Sequence, residues 1–420
     1  MLTKNTARGA PPPQPSHPFA RATHRRVWAL ASALLFALPV QAQQESAPAP
    51  SSSASPRLEH SPKKLLELSP FDATHRDSEL LSPKSALFHP TKQKLYINAL
   101  EAGKTLVYST PDYKKLATIN HSFGSHSALE PGSKFFGKPV EGWFTHAGKY
   151  LWVTYYRWSD DAFAVKDSGF AVIDTDTDKI LKAYPTGNIP KFITADPQSG
   201  RLAVTLWGDN TVELYDISNP AFVTDLSAHK VGTVAVGPPV HAEPGSDRDR
   251  TCGLCLRGTA FLPGTSLLAV ARMGGGGLAL IDTTTQQVVR NLFQVPQTPR
   301  HLQVYGDWLY LSANVSGTVG RIRLADLQKA AVTPGFEPSV ESQKVGAGAR
   351  TLKVAGDKVY VALNGSKEVV SMNLDFTDAQ RVAAPAFPVG LDVARGQLAV
   401  TSQGRQGVGG HRVWIYALPR

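Results

Sequence analysis

The stretch from Pro190 to Ile217 shows the unit from which this chain is built. It begins Pro190-Lys191-Phe192-Ile193, turns at Asp196–Gly200, continues as Leu202-Ala203-Val204-Thr205 and ends with Leu214-Tyr215-Asp216-Ile217. Short runs of apolar, β-branched and aromatic residues between turns are typical of antiparallel strands. About seven copies of this unit follow one another along the 420 residues. The chain is therefore predicted to be an array of small β-units that bury their faces against each other.

Each copy opens at an equivalent position, and five of the seven opening residues are basic. The positions are Lys84, Glu141, Lys191, Arg257, Arg300, Arg350 and Val389, at spacings of 39 to 66 residues. We predict an all-β fold, a seven-bladed β-propeller, with six or eight blades as alternatives because two of the spacings are long. The last unit stops after its third strand, and Lys64–Leu68 is predicted to supply the missing outer strand and close the ring.

The N-terminal residues have the pattern of an export signal. Arg21, Arg25 and Arg26 precede an apolar run, and small residues follow at a cleavage site after Ala42. We expect residues 1–42 to be a cleaved signal peptide, 43–60 a Pro/Ser-rich linker, and 61–420 the propeller. An uncleaved anchor is the alternative. The expected location is the periplasm or outside a bacterial cell, with no stable membrane span after cleavage.

The net charge disfavours nucleic acid as the partner. The formal charge is +10, but residues 1–42 contain five basic and no acidic residues, so cleavage would leave only +5. A modest charge on a large exported chain is not typical of nucleic-acid binding.

The strand pattern resembles the YVTN-type β-propeller repeat. Lys358–Gly365 (KVYVALNG) and Phe170–Thr175 (FAVIDT) carry the likeness best, and it covers roughly residues 64–420. The resemblance implies the propeller fold. It does not fix a reaction, because the family includes exported proteins of unknown role and relatives with lactonase-like or haem-binding activity.

The basic opening residues form the first candidate site. The first strand of each propeller blade lines the channel, so cations at its start would concentrate positive potential around one mouth. The alternative is that they pair with loop carboxylates or cover grooves between blades. The strand pattern leaves the direction of these side chains open. Side chains two residues apart lie on the same face of a strand, and Lys191 and Arg300 stand two residues before the apolar Ile193 and Leu302. The predicted anion-binding residues are Lys84, Lys191, Arg257, Arg300 and Arg350.

Loops between the second and third strands open on the same face and supply further candidates. Aromatic rings, amides and arginines together suit an organic anion, although such rings also pack between blades. The predicted binding residues here are Arg157, Trp207, Arg272, Asn314 and Asn364, beside Tyr155, Tyr156, Trp158 and Gln403.

Cys252 and Cys255 are the only cysteines. A local disulfide that holds the loop before Arg257 is the leading prediction for an oxidising compartment, with a redox dithiol as the alternative. His121, His126 and Glu130 give a weak metal signal, and we predict neither a metal site nor a cofactor. Gly274–Gly277 is predicted to be a hairpin turn rather than a phosphate cradle.

The sequence therefore favours an exported, monomeric and non-catalytic binding protein. Its predicted ligand at the basic mouth is an anionic small molecule, a glycan or a protein segment. One alternative is a metal-assisted enzyme of the lactonase or lyase type, and the other is a scaffold for envelope proteins.

Overall fold

A computed structural model describes residues 61–123, 135–156, 168–241, 243, 246–247, 249–404 and 410–419. The predicted signal peptide and linker lie outside these ranges. So do Arg157, Trp158, His126 and Glu130 of the predicted loops.

Seven four-stranded antiparallel sheets form the described fold, which confirms the seven-bladed β-propeller. In blades 1 to 6 the four strands follow chain order from the innermost to the outermost, and each strand pairs with the next one in the chain. The strands of blades 1 to 3 are β2 (Pro83–Phe88), β3 (Lys94–Ala99), β4 (Lys104–Ser109), β5 (Lys115–Asn120), β8 (Pro139–Thr145), β9 (Tyr150–Tyr155), β10 (Ser168–Asp174), β11 (Lys179–Thr186), β12 (Pro190–Asp196), β13 (Arg201–Leu206), β14 (Thr211–Asp216) and β15 (Lys230–Ala235).

Blades 4 to 6 repeat the same arrangement. Their strands are β16 (Leu256–Phe261), β17 (Leu267–Arg272), β18 (Leu278–Asp282), β19 (Gln287–Leu292), β20 (Pro299–Tyr305), β21 (Trp308–Ala313), β22 (Thr318–Arg323), β23 (Glu341–Lys344), β24 (Ala349–Ala355), β25 (Lys358–Leu363), β26 (Glu368–Asn373) and β27 (Gln380–Ala383). The glycines at 274–277 lie in the turn between β17 and β18, as predicted.

Blade 7 contains both ends of the described chain. Its strands β28 (Pro388–Ala394), β29 (Gln397–Ser402) and β30 (Arg412–Ala417) are completed by β1 (Lys63–Leu68). β1 pairs antiparallel with β30, with Lys63 opposite Ala417 and Leu68 opposite Val413. The N-terminal strand therefore closes the ring, which confirms the prediction.

The hydrophobic core is divided into layers between neighbouring blades. One cluster joins Trp152 and Phe170 of blade 2 to Ile193 and Val204 of blade 3, and similar clusters fill the other six blade interfaces. Each blade presents apolar side chains on both faces, and burying one large apolar side chain contributes about 1.5–3 kcal/mol. The ring is stable because every face is covered by a neighbour.

A few elements lie outside the blades. A short hairpin joins β6 (Ser122–Phe123) to β7 (Phe135–Phe136), and α1 (Leu324–Val332) follows β22. A left-handed turn covers His146–Gly148, and a 3₁₀ turn covers Pro220–Thr224. Within the described ranges, no helix is both long and apolar enough to cross a membrane.

Candidate functional site at the basic mouth

A β-bulge at the start of each inner strand sets the direction of the predicted cations. In β12 the pairing with β13 skips from Pro190 to Phe192, so Lys191 is the bulged residue. The same skip passes over Lys84, Arg257, Arg300 and Arg350 in their strands. A bulged residue leaves the regular in–out alternation and is re-aimed. This explains how the cations can point away from the core although they share parity with buried apolar residues.

The chain also enters most inner strands through a left-handed residue. Side chains other than glycine adopt this region at a cost of about 1–3 kcal/mol, and a following proline disfavours helical backbone further. The turn therefore fixes the start of these strands in one backbone geometry. The residues concerned are Ser82, Ile189, Cys255, Thr298, Gly348 and Phe387, with φ between 49° and 76°.

Hydroxyl groups of the preceding blade hold the bulges in place. Thr205 Oγ1 donates to the carbonyl of Arg257 at 2.9 Å, and Ser312 Oγ donates to that of Arg350 at 2.5 Å. Thr401 Oγ1 donates to the carbonyl of Lys84 at 3.3 Å. Each such bond contributes about 0.5–1.5 kcal/mol and satisfies a carbonyl at the irregular position. The backbone of these three cations is therefore fixed by contacts between blades.

The five predicted cations converge in the structure. Each is no more than 9% exposed. Burial lowers the pKa of Lys84 well below its ordinary value, and the nearby charges of Arg350, Arg257 and Arg300 lower it further. The pKa of Arg300 is lowered by burial and then by Arg350 and Arg257. Cations from five blades thus share one electrostatic environment at the mouth.

Two carboxylates compensate one side of this cluster. Glu141 of β8 accepts from the Arg257 guanidinium at 3.2 Å, and Asp249 pairs with Lys191 at 2.9 Å. Lys191 also lies 3.6 Å from the ring centroid of Tyr156 and 4.9 Å from that of Trp207. Burial lowers the pKa of Lys191 to about 7, although Asp249 opposes the shift. In this half of the mouth, which we call the paired half, the cations form ion pairs and contact aromatic rings.

In the other half of the mouth, Lys84 and Arg300 face neutral groups. Lys84 Nζ donates to Gln403 Oε1 at 3.5 Å, and an Arg300 guanidinium N–H lies 3.3 Å from the sulfur of Met273. Among the described residues, neither Lys84 nor Arg300 has a carboxylate within ion-pair distance. A thioether and a distant amide are weak acceptors for a cation. Arg350 lies on the same side, 5.6 Å from the Phe387 ring centroid.

The Cys252–Cys255 disulfide lies beside the paired half, which confirms the predicted bond. The disulfide packs with Ile189 and Trp207, and the Trp207 indole donates to the Asp249 carbonyl at 3.1 Å. The loop that supplies Asp249 is therefore tied down two residues before Arg257.

The other predicted loop residues contact groups outside the cation cluster. Arg272 turns toward the outer strand of blade 4, where it donates to Asn291 Oδ1 at 2.9 Å and faces the Phe293 ring at 5.0 Å. Asn314 and Asn364 begin the turns after β21 and β25, and their backbone N–H groups donate to Thr298 and Gly348. The structure thus brings together the strand residues and Trp207, while Arg272 is directed away.

The sequence did not indicate a ring pair inside the channel. The imidazole of His301 and the phenyl ring of Phe192 meet at a centroid distance of 5.1 Å. They belong to blades 5 and 3, and the equivalent residue of the intervening blade is Gly258. A Cβ at Gly258 would lie 2.7 Å from the Arg300 carbonyl, so this strand packs too closely for a side chain. Burial lowers the pKa of His301 to about 3, and its ring is neutral at neutral pH.

His121, one of the three residues in the weak metal pattern, has a structural role in the core. His121 is fully buried, with its ring nitrogens 2.7 Å from Thr105 Oγ1 and 2.9 Å from the Tyr155 hydroxyl. Both nitrogens are used in core hydrogen bonds. Within the described ranges, no three His, Cys, Asp or Glu side chains are grouped so that they could hold a metal ion.

Comparison with known proteins identifies the architecture. No family model and no curated protein matches the chain. The β-propeller domain of Cps50 (Swd1) from Myceliophteria thermophila is similar, with a TM-score of 0.60 and 12% identity over 86% of this chain and 100% of that one. A chain of the Mitotic Checkpoint Complex gives 0.59 and 8% over 91% and 99%. U3-55K gives 0.58 and 11% over 85% and 100%.

The protein shares the β-propeller fold with these structures. At such low identity the likeness concerns the fold alone, because propellers host many unrelated functions. The resemblance to the YVTN-type family stays a prediction.

Proposed function

We propose that this protein is an exported binding propeller that holds an anionic ligand at the basic mouth without transforming it. The observation that carries the proposal is the convergence of five buried cations, from five blades, with two carboxylates in the described residues. The ligand class is an anionic small molecule, a glycan or a protein segment.

Buried charge without a counter-charge destabilises the mouth. Moving a cation out of water costs several kcal/mol unless a counter-charge and hydrogen bonds compensate it. Glu141 and Asp249 compensate Arg257 and Lys191. An anion placed between Lys84 and Arg300 would offset the burial cost of these two cations, and low-dielectric walls would strengthen the attraction. A ligand with at least two negative charges fits this arrangement best.

The proposed location is the periplasm or the outside of the cell, and the proposed state is a monomer. The Cys252–Cys255 disulfide supports an oxidising compartment, since such bonds persist there.

Titration with sucrose octasulfate, a sulfated disaccharide, tests the proposal. We expect binding that weakens with added salt, because screened charges attract less. Arg300→Ala and Lys84→Ala should each weaken binding about tenfold, since each removes a charge-assisted contact. Lys344→Ala is the matched control, because Lys344 is an exposed cation on the outer strand β23. Unchanged affinity in both mouth variants, measured by isothermal titration calorimetry, would show that the site assignment is wrong.

A further inference from the structure

The opposite end of the channel contains a cavity of about 730 Å³. It lies where the inner strands of blades 1, 2, 3, 6 and 7 end. Ala195 is four residues after Lys191 in β12, which separates the cavity from the basic mouth by about 13 Å of extended chain. Its apolar lining comes from Leu87, Trp143, Phe144, Ala195, Ile217 and Val393. Cavities of about 300–1,000 Å³ with mostly apolar walls are the usual sites for small molecules.

The two carboxylates that line this cavity are hydrogen-bonded within the protein. Asp392 accepts from Lys353 Nζ at 2.8 Å and from the Phe88 backbone N–H at 2.8 Å. Asp196 accepts from the backbone N–H groups of Gln198 and Ser199 at 3.0 and 3.1 Å. A charged ligand would have to compete with these bonds. The pairing therefore favours an uncharged occupant.

One rim of the cavity is held in a strained conformation. His146, Ala147 and Gly148 are consecutive left-handed residues, with φ of 52°, 53° and 94°. The Gly148 carbonyl accepts from His89 Nε2 at 3.0 Å and from Thr175 Oγ1 at 2.8 Å. These bonds from the residues that follow β2 and β10 keep the turn in place. Strain of this kind is often found at ligand sites, and here it fixes the rim before any ligand arrives.

Trp143 gives the cavity an aromatic surface. Its side chain lines the cavity and remains 37% exposed, unlike the buried aromatic residues of the core. The neighbouring Phe144 ring is packed against His89 and Tyr96 at 5.1 and 5.7 Å. The indole is therefore available to stack on a flat ligand, while Phe144 supports the wall.

We propose that this cavity is a second binding site, which takes an uncharged small molecule with a flat aromatic body. It differs from the basic mouth in position and in ligand chemistry. Either proposal can therefore be contradicted without affecting the other.

N-Phenyl-1-naphthylamine, an uncharged aromatic fluorophore, is a direct probe of this site. We expect one molecule to bind per chain, with an increase in its fluorescence. Trp143→Ala should weaken binding about tenfold, since stacking and apolar contact are lost. Ser218→Trp places an indole at the exposed edge of the cavity and should reduce binding at least as much. Phe293→Ala is the matched control, because Phe293 is a 63% exposed aromatic residue outside the cavity.

The outcomes separate this proposal from that for the basic mouth. Melting temperatures show whether each variant is folded, and Arg300→Ala should bind the fluorophore as the wild type does. No fluorophore binding by the wild type would overturn the proposal, as would wild-type affinity in both Trp143→Ala and Ser218→Trp. Sucrose octasulfate binding should be the same in both cavity variants and in the wild type. A wild-type protein that binds the fluorophore but not sucrose octasulfate would contradict only the proposal for the basic mouth.

Discussion

The two ends of the inner strands differ in how their charged side chains are paired. At the first end, bulges place buried cations from five blades together, and two carboxylates in the described residues oppose them. At the other end the ladder is regular again, and Lys353 of β24 pairs with Asp392 of β28. Lys353 lies three residues after Arg350 in the same strand. A buried charge with a partner from the next blade serves the fold, whereas a surplus of one sign indicates a site for a counter-charge.

Neutralising one carboxylate at each end of the inner strands should give the largest difference between the two ends, in stability and in anion affinity. Glu141→Gln leaves Arg257 buried without its counter-charge, so the free energy of unfolding should fall by about 3 kcal/mol. The same change should tighten sucrose octasulfate binding about tenfold, because the mouth gains one net positive charge.

Asp392→Asn is the paired control at the other end. The Lys353 side chain is 35% exposed, so unfolding should become easier by only about 1–2 kcal/mol. Anion affinity should stay the same. Denaturant unfolding and calorimetry measure both quantities, and an equal change in anion affinity for the two variants would contradict the comparison.

The disulfide provides the next largest effect. Replacing Cys252 and Cys255 by serine should lower the free energy of unfolding by about 2 kcal/mol, the value for a short closed loop. Sucrose octasulfate affinity should fall about threefold, because the loop that carries Asp249 and precedes Arg257 must be ordered on binding.

The double variant should leave the fluorophore site unchanged, since that cavity lies at the other end of the strands. Thermal unfolding and both titrations measure these effects. Weaker binding of the fluorophore would mean that the two ends are coupled.

The smallest effect concerns pH. The pKa of Lys191 is lowered to about 7 from 10.5, so Lys191 loses its proton as the pH rises through about 7 and anion affinity should decline. Between about 7 and 10.5 the unfolded chain binds more protons at this residue than the folded chain, so its contribution to the free energy of unfolding rises with pH. Lys191→Arg keeps the charge and should remove the step near pH 7 from the binding profile. A wild-type profile that is flat between pH 6 and 8 would contradict this prediction.

Much of the fold could be predicted because the information is local and repeated. The runs Leu202–Thr205 and Val359–Val361 carry strand alternation that needs no knowledge of the neighbours, and Lys64–Leu68 was recognised because one blade lacked a strand. The cations were found for the same reason. Their direction was not, because a bulge depends on how β12 pairs with β13 and on hydroxyls such as Thr205 from another blade.

The parts that were missed are made by contacts between distant segments. Glu141 stands at the repeat position of the cations, and an acid there could have been read as their partner. Asp249 lies in a loop, and nothing in its sequence places it beside Lys191. The 730 Å³ cavity combines strand ends of five blades with a turn at His146–Gly148, so no single stretch of sequence contains its signature.

The closing strand also has a consequence for how the molecule folds. β1 and β30 pair Lys63 with Ala417, so the last ladder joins residues from opposite ends of the described chain. Bringing such distant segments together costs about 5 kcal/mol of loop-closure entropy, and contacts of high sequence separation slow folding. Blade 7 cannot be completed before β30 has been synthesised, and until then a strand edge is open to pairing with other chains. The same junction that protects the finished ring is therefore its most exposed point during folding.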